Sequence, residues 1–133
     1  MDMEKKKQKV LIVDDDQFLI NMYSLKFSNE GFEVSSATKG EESLDKLRGG
    51  LEPDIILLDV VMPSLGGIGI LEKIRREKLA EKSFVIMLTN QGDRSDIDQA
   101  NKLGVDGYIV KATSTPSGVV EEVMNIYNRV KNN

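Results

Sequence analysis

The sequence predicts an α/β fold, a doubly wound parallel sheet, and three observations point there. Four short apolar runs have the length of buried strands: residues 10–13, 55–58, 85–88 and 108–110. Helical spacing fills the intervals between them. Each run also ends abruptly in polar residues suited to phosphate or metal chemistry: Asp14, Asp15 and Asp16, then Asp59, then Thr89, then Lys111. An open parallel sheet binds ligands in the crevice outside the carboxyl ends of its strands, so these side chains would meet on one edge.

After the first run, a helix is expected over residues 16–30. Its polar positions Gln17, Asn21, Ser24 and Ser28 form a narrow stripe at i, i+4, i+7 and i+11. Gly31 is placed to stop it, and residues 32–37 read as a half-alternating strand. A second helix covers 41–48 and ends at Gly49 and Gly50. A third runs over 68–77 with Ile70, Leu71 and Ile74 inward, and a fourth over 95–103 before Gly104. The fifth spans 116–130: Thr115 suits its N-cap, Pro116 sits where no donor is needed, and Val119, Val120, Val123, Ile126, Tyr127 and Val130 share a face. Strand and helix thus alternate five times. Right-handed crossovers make this a flavodoxin-like sheet of five strands in order 2-1-3-4-5 with five helices, which sets the first and third strands side by side.

The 133 residues suffice for one domain with a core, with residues 1–8 as a basic arm and 9–131 as the folded unit. The chain stops at Asn132 and Asn133, just past the fifth helix, so no output domain is expected. A net charge of -4 argues against direct nucleic-acid binding, and Lys5, Lys6, Lys7 and Lys9 read as a solvated arm. The absence of cysteine and histidine excludes disulfides, thiol nucleophiles and histidine-based catalysis. No apolar stretch approaches membrane-spanning length and no signal peptide is evident, so a cytoplasmic protein without membrane insertion is expected.

In that strand order Asp14, Asp15 and Asp59 become neighbours. Unit charges 4 Å apart repel by about 4 kcal/mol at an effective dielectric near 20, so a divalent cation is the natural remedy. Oxygen ligands without histidine or cysteine favour Mg²⁺, which keeps waters that a phosphoryl oxygen can replace. One carboxylate can then act as a nucleophile toward phosphorus, with Lys111 offsetting the incoming charge.

These residues resemble the receiver domain of two-component response regulators over nearly the whole chain. The string Asp59-Val60-Val61-Met62-Pro63-Ser64-Leu65-Gly66-Gly67 is similar to the family's Asp-x-x-Met-Pro loop followed by glycine. The resemblance implies that Asp59 accepts a phosphoryl group from a sensor histidine kinase, a phosphotransfer protein or a small acyl phosphate. It implies Mg²⁺ held by Asp15, Asp59 and the Val61 carbonyl, with Asp14 helping through a water. Lys111 would pair with a phosphoryl oxygen, Thr89 would donate to another, and Tyr108 would turn inward as Thr89 moves. The response would appear on the fourth helix, fifth strand and fifth helix, for an unidentified downstream protein target. An apolar Val61 cannot position an attacking water, so the phosphoryl group should be long-lived.

Departures from the family pattern mark where this chain differs. Ala112 follows Lys111 where proline in a cis bond is usual; cis before alanine costs about 2.5 to 4 kcal/mol, so a trans, differently shaped loop is expected. Asn90 follows Thr89 where a small residue is common, and Gln91 stands with Val61 at positions that tune hydrolysis. Kinase contacts are expected among Gln17, Ile20, Asn21 and Ser24, with Ile20 either an exposed anchor or a core residue. No charge pattern typical of receiver dimers surrounds Asp106 and Gly107, so a monomer is expected.

Other readings remain open. Asp14 to Asp16 could be a solvated acidic turn, and Asp16 is read as the helix N-terminus. Asp14-x-Asp16 also fits a small phosphatase of the haloacid dehalogenase type, which explains Asp59 less well. Asn90 and Ala112 make a receiver-like scaffold without phosphorylation conceivable. Gly67 and Gly69 mimic part of a dinucleotide loop, but Glu72 stands where its third glycine belongs.

Overall fold

The structure, a computed structural model, describes residues 7–62, 65–89, 94–111 and 115–131. Elements alternate as β1 (Lys9–Val13), α1 (Gln17–Asn29), β2 (Glu33–Ala37), α2 (Gly40–Arg48), β3 (Ile55–Asp59), α3 (Gly67–Arg76), β4 (Phe84–Thr89), α4 (Arg94–Lys102), β5 (Gly107–Val110) and α5 (Pro116–Lys131). The sheet order is β2-β1-β3-β4-β5, with every pairing parallel, as the sequence predicts.

Side chains alternate across the sheet and feed two separate cores. Val10, Ile12, Ile55, Leu57, Ile86, Leu88 and Ile109 face α1 and α5, where they pack with Ile20, Tyr23, Phe27, Val119, Val123 and Tyr127. Leu11, Val13, Ile56, Leu58, Val85 and Met87 face α2 and α3, where they meet Leu44, Leu47, Ile70, Leu71 and Ile74. Each fully buried side chain of this size contributes about 1.5 to 3 kcal/mol through removal from water. Burial on both faces is why β3, with Ile55-Ile56-Leu57-Leu58, reads as a continuous apolar run and not an alternating one.

Local signals set the element ends. Asp16 caps α1, its Oδ1 accepting from the backbone N–H groups of Phe18 (3.0 Å) and Leu19 (3.2 Å). Gly31, with φ of 90°, lets the chain turn after α1, and Gly104, with φ of 78°, does the same after α4. Thr115 Oγ1 accepts from the Gly118 N–H at 3.0 Å and opens α5.

One expectation needs correction and one alternative is resolved. Phe32 lies outside β2, yet it is buried edge-on between Phe27 and Tyr127, with ring centroids 5.5 and 6.3 Å away. Ile20 is buried and belongs to the core, so it is no exposed anchor. In keeping with the narrow polar stripe, the solvent side of α1 also carries Phe18 and Leu25, exposed by 68% and 56%. Lys5, Lys6, Pro63, Ser64, Asn90, Gln91, Ala112, Asn132 and Asn133 lie outside the described residues.

Candidate functional site

The carboxyl edge of the sheet brings Asp14, Asp15, Asp59, Thr89 and Lys111 together at the ends of four strands. Alternation sorts them further. Asp14 continues the rung of Val10 and Ile12, Asp59 that of Ile55 and Leu57, and Lys111 that of Ile109, all on the face covered by α1 and α5. Thr89 continues Val85 and Met87 on the opposite face.

Carboxylate oxygens of Asp14, Asp15 and Asp59 lie within 4.8 Å of one another. Asp14 and Asp59 are buried, whereas Asp15 is exposed. Lys111 Nζ sits 2.9 Å from Asp14 Oδ2 and donates to Asp59 Oδ2 at 3.2 Å. It is the one counter-charge to Asp14 Oδ2 among the described residues. Asp14 Oδ1 accepts from the Asp16 N–H at 2.9 Å, which ties the first carboxylate to the start of α1. Asp59 Oδ1 accepts from the Val61 N–H at 3.3 Å.

One ammonium against three carboxylates leaves the cluster short of positive charge. Burial, followed by the charge of Asp14, pushes the Asp59 carboxyl from 3.8 up to about 6, against the pull of Lys111 and the Val61 N–H. Burial also acts to lower the Lys111 ammonium, but its bonds to the two carboxylates together hold it above its ordinary value. An all-oxygen donor set with this deficit suits a hard divalent cation, and Asp14, Asp15 and Asp59 are the residues able to hold it.

Thr89 is buried at the end of β4, and its Oγ1 has no hydrogen-bond partner among the described residues. Leaving such a hydroxyl unpaired costs about 1 to 3 kcal/mol, so it is available to a group that enters the site. Val61 is 57% exposed beside the cluster, and Tyr108 is 41% exposed on β5. Of the expected contacts on α1, Gln17 and Asn21 are exposed and Ser24 is half-buried.

The loop after β3 is closed tightly under Asp59. Gly67 N–H donates to the Val60 carbonyl at 2.9 Å, and a side chain at Gly67 would collide with the Asp59 carbonyl and the Val60 Cα. Of the two glycines that superficially suggest a dinucleotide loop, Gly67 therefore serves the close approach of α3 to the end of β3, while a side chain at Gly69 would meet the Leu65 side chain. Sequence reasoning saw the glycines without seeing that contact.

A family model described as "Response regulator receiver domain" matches residues 10–122. The chain is 36% identical over 131 residues to "Probable transcriptional regulator ycf27" of Cyanophora paradoxa, covering 98% of this chain and 52% of that protein. It is 34% identical over 122 residues to the alkaline phosphatase synthesis transcriptional regulatory protein PhoP of Bacillus subtilis, covering 92% and 49%. The chain thus spans about half the length of the curated relatives it matches. Among solved structures, the chemotaxis protein CheY4 of Vibrio cholerae superposes with a TM-score of 0.81 at 26% identity, covering 91% of this chain and 99% of that one. A fold of five parallel strands with acidic and basic residues gathered at its carboxyl edge agrees with that match, and the chain belongs to the response-regulator receiver domain family.

Proposed function

We propose that the chain is a phosphorylation-dependent signalling switch that accepts a phosphoryl group on Asp59, with Mg²⁺, and acts by binding a protein target. The donor is a sensor histidine kinase, a phosphotransfer protein or a small acyl phosphate. The observation that carries this is the set of three carboxylates within 4.8 Å of one another, two of them buried, facing a single lysine.

Asp59 attacks the phosphorus of the donor; its oxygen–phosphorus bond forms as the donor's bond to phosphorus breaks, and the donor leaves with the electron pair. Asp15, Asp59 and the Val61 carbonyl would hold Mg²⁺, with Asp14 helping through a water, and the ion would supply positive charge to the transferring phosphoryl oxygens. Lys111 already lies within bonding distance of Asp59 and turns to a phosphoryl oxygen as the acyl phosphate forms. Thr89 gives its unpaired hydroxyl to another. Its displacement frees room for Tyr108 to turn in from its half-exposed position, so that α4, β5 and α5 form the surface a target reads. Val61 offers no group to orient water, and the phosphoryl group is correspondingly long-lived. Donor docking uses Gln17, Asn21 and Ser24 on α1, with exposed Phe18, not buried Ile20, as the hydrophobic anchor.

A phosphatase of the haloacid dehalogenase type is disfavoured because Asp16, its would-be acid, is engaged with two backbone N–H groups at the start of α1. Incubation with Mg²⁺ and a labelled small acyl phosphate separates the readings. One stoichiometric, Mg²⁺-dependent incorporation is expected, without turnover of phosphate esters. Continuous ester turnover would favour the phosphatase, and no incorporation would favour a scaffold.

A further inference from the structure

Helix α4 is held unequally along its length. Of its residues only Ala100 is buried, with Asp96 and Ile97 half-buried, whereas α3 buries Gly67, Ile70, Leu71 and Ile74. One small buried side chain docks a helix weakly, because removal of apolar area from water is the main force that holds it.

The carboxyl end of α4 is different. There the Gly104 N–H donates to the Asn101 carbonyl at 3.0 Å and the Val105 N–H to the Ala100 carbonyl at 3.3 Å, as the chain turns through Gly104. The carbonyls of Leu103 and Gly104 are then taken by another helix: Arg75 of α3 donates to them from Nε at 2.8 Å and from Nη2 at 3.1 Å. Just beyond, Asp106 exchanges two bonds with β4. Its N–H donates to the Val85 carbonyl and its Oδ2 accepts from the Val85 N–H, each at 2.8 Å.

Arg75 is committed to this contact. Arg48 on α2 pairs its guanidinium with Glu77, Asp45 and Glu41, but Arg75 pairs with no carboxylate among the described residues. A guanidinium is a rigid fork that reaches two acceptors at once, and its charge complements the negative end of a helix dipole. The base of the fork is firm. Ile74 beside it is buried against the sheet, and Gly67 at the start of α3 lies against the backbone of Asp59 and Val60. Helix α3 thus runs from the Asp59 loop to the carboxyl end of α4.

We infer that Arg75 anchors the carboxyl end of α4 to α3, so that α4 answers phosphorylation as a lever whose amino end moves while its carboxyl end stays fixed. Only residues 90–93 separate Thr89 from Arg94, so displacement of Thr89 reaches the lightly held end first. This inference rests on the proposed phosphoacceptor function and names which part of α4 changes.

Arg75→Met keeps a long stem and removes the fork, while Arg75→Lys leaves a single point charge. Amide hydrogen exchange over residues 94–106, and over α5 as a control for global unfolding, is measured in wild-type protein and both variants, before and during treatment with a small acyl phosphate and Mg²⁺. Before treatment, the amides of Leu103, Gly104, Val105 and Asp106 should exchange roughly tenfold faster in Arg75→Met with α5 unchanged, and Arg75→Lys should fall between. During treatment, wild-type exchange should change over 94–99 and hold over 103–106, and in Arg75→Met the change should extend through 106. Equal exchange at 103–106 in wild type and Arg75→Met, or a wild-type change as large at 103–106 as at 94–99, would overturn the inference. If Arg75→Met also speeds exchange in α5, Arg75→Lys decides by the same comparison. If wild-type protein takes no label, the proposed function fails separately, and exchange before treatment alone decides whether Arg75 anchors α4.

Discussion

The two faces of this sheet end in different chemistry, and their cores differ to match. Beneath Asp14, Asp59 and Lys111, the α1 and α5 side contains Tyr23, Phe27, Phe32 and Tyr127. Beneath Thr89, the α2 and α3 side is aliphatic apart from methionine, with no buried aromatic ring among the described residues. One face ends in charge over a core that includes aromatic rings, while the other ends in a single neutral hydroxyl over close-packed hydrocarbon. A parallel sheet buried on both sides can thus build a polar site from strand ends, with each side of the site resting on its own core.

The largest effect expected from breaking this contrast is at Lys111. Lys111→Met leaves Asp14 and Asp59 without their counter-charge, and stability in metal-free buffer should fall by about 3 kcal/mol in urea unfolding. Phosphoryl transfer should fall at least a hundredfold when Mg²⁺ is restored. An unchanged midpoint and rate would mean that the lysine is incidental to the site.

Leu57 and Leu58 give the sharpest comparison, since they are adjacent, both fully buried, and point to opposite faces. Leu57→Ala and Leu58→Ala should each lose about 2 to 5 kcal/mol. Only Leu57→Ala, which opens space under Asp59, should also slow labelling of the folded fraction severalfold. Equal labelling in both variants would dissolve the distinction between the faces.

Asp59 makes the charged face sensitive to pH. Because its carboxyl is raised to about 6 in the folded protein from 3.8, the folded state binds more protons than the unfolded chain between those values. With Mg²⁺ chelated, stability should therefore rise as pH falls from about 6 to 4, by an increment on the order of 3 kcal/mol. Asp59→Asn should lack the increment and be the more stable protein at neutral pH. Denaturant titrations across that range check the sign.

The smallest change belongs to the neutral face. Thr89→Ala removes an unpaired buried hydroxyl, so stability should shift by no more than about 1 kcal/mol, while labelling slows about tenfold. A large loss of stability would show that the hydroxyl is structurally engaged.

Much of this was legible before the fold was known. Apolar runs of fixed length, the punctuating Gly31 and Gly104, and the cap residues Asp16 and Thr115 placed every element to within about one residue or a turn's edge, because each signal is local. Strand-end chemistry singled out Asp14, Asp59, Thr89 and Lys111 for the same reason. Ile20 could not be settled, since α1 is apolar around most of its circumference and periodicity does not say which side meets the sheet. Phe32 escaped because its burial comes from Phe27 and Tyr127, residues distant in sequence or on another element.

The central claim is that the buried carboxylate at the end of β3 receives the phosphoryl group. The most direct test is mass-spectrometric mapping after incubation with a small acyl phosphate and Mg²⁺, with Asp59→Asn alongside. The account predicts one phosphoryl group per wild-type chain, located on Asp59, and none on the variant. Equal incorporation in Asp59→Asn, or a label that maps to another residue, would contradict it.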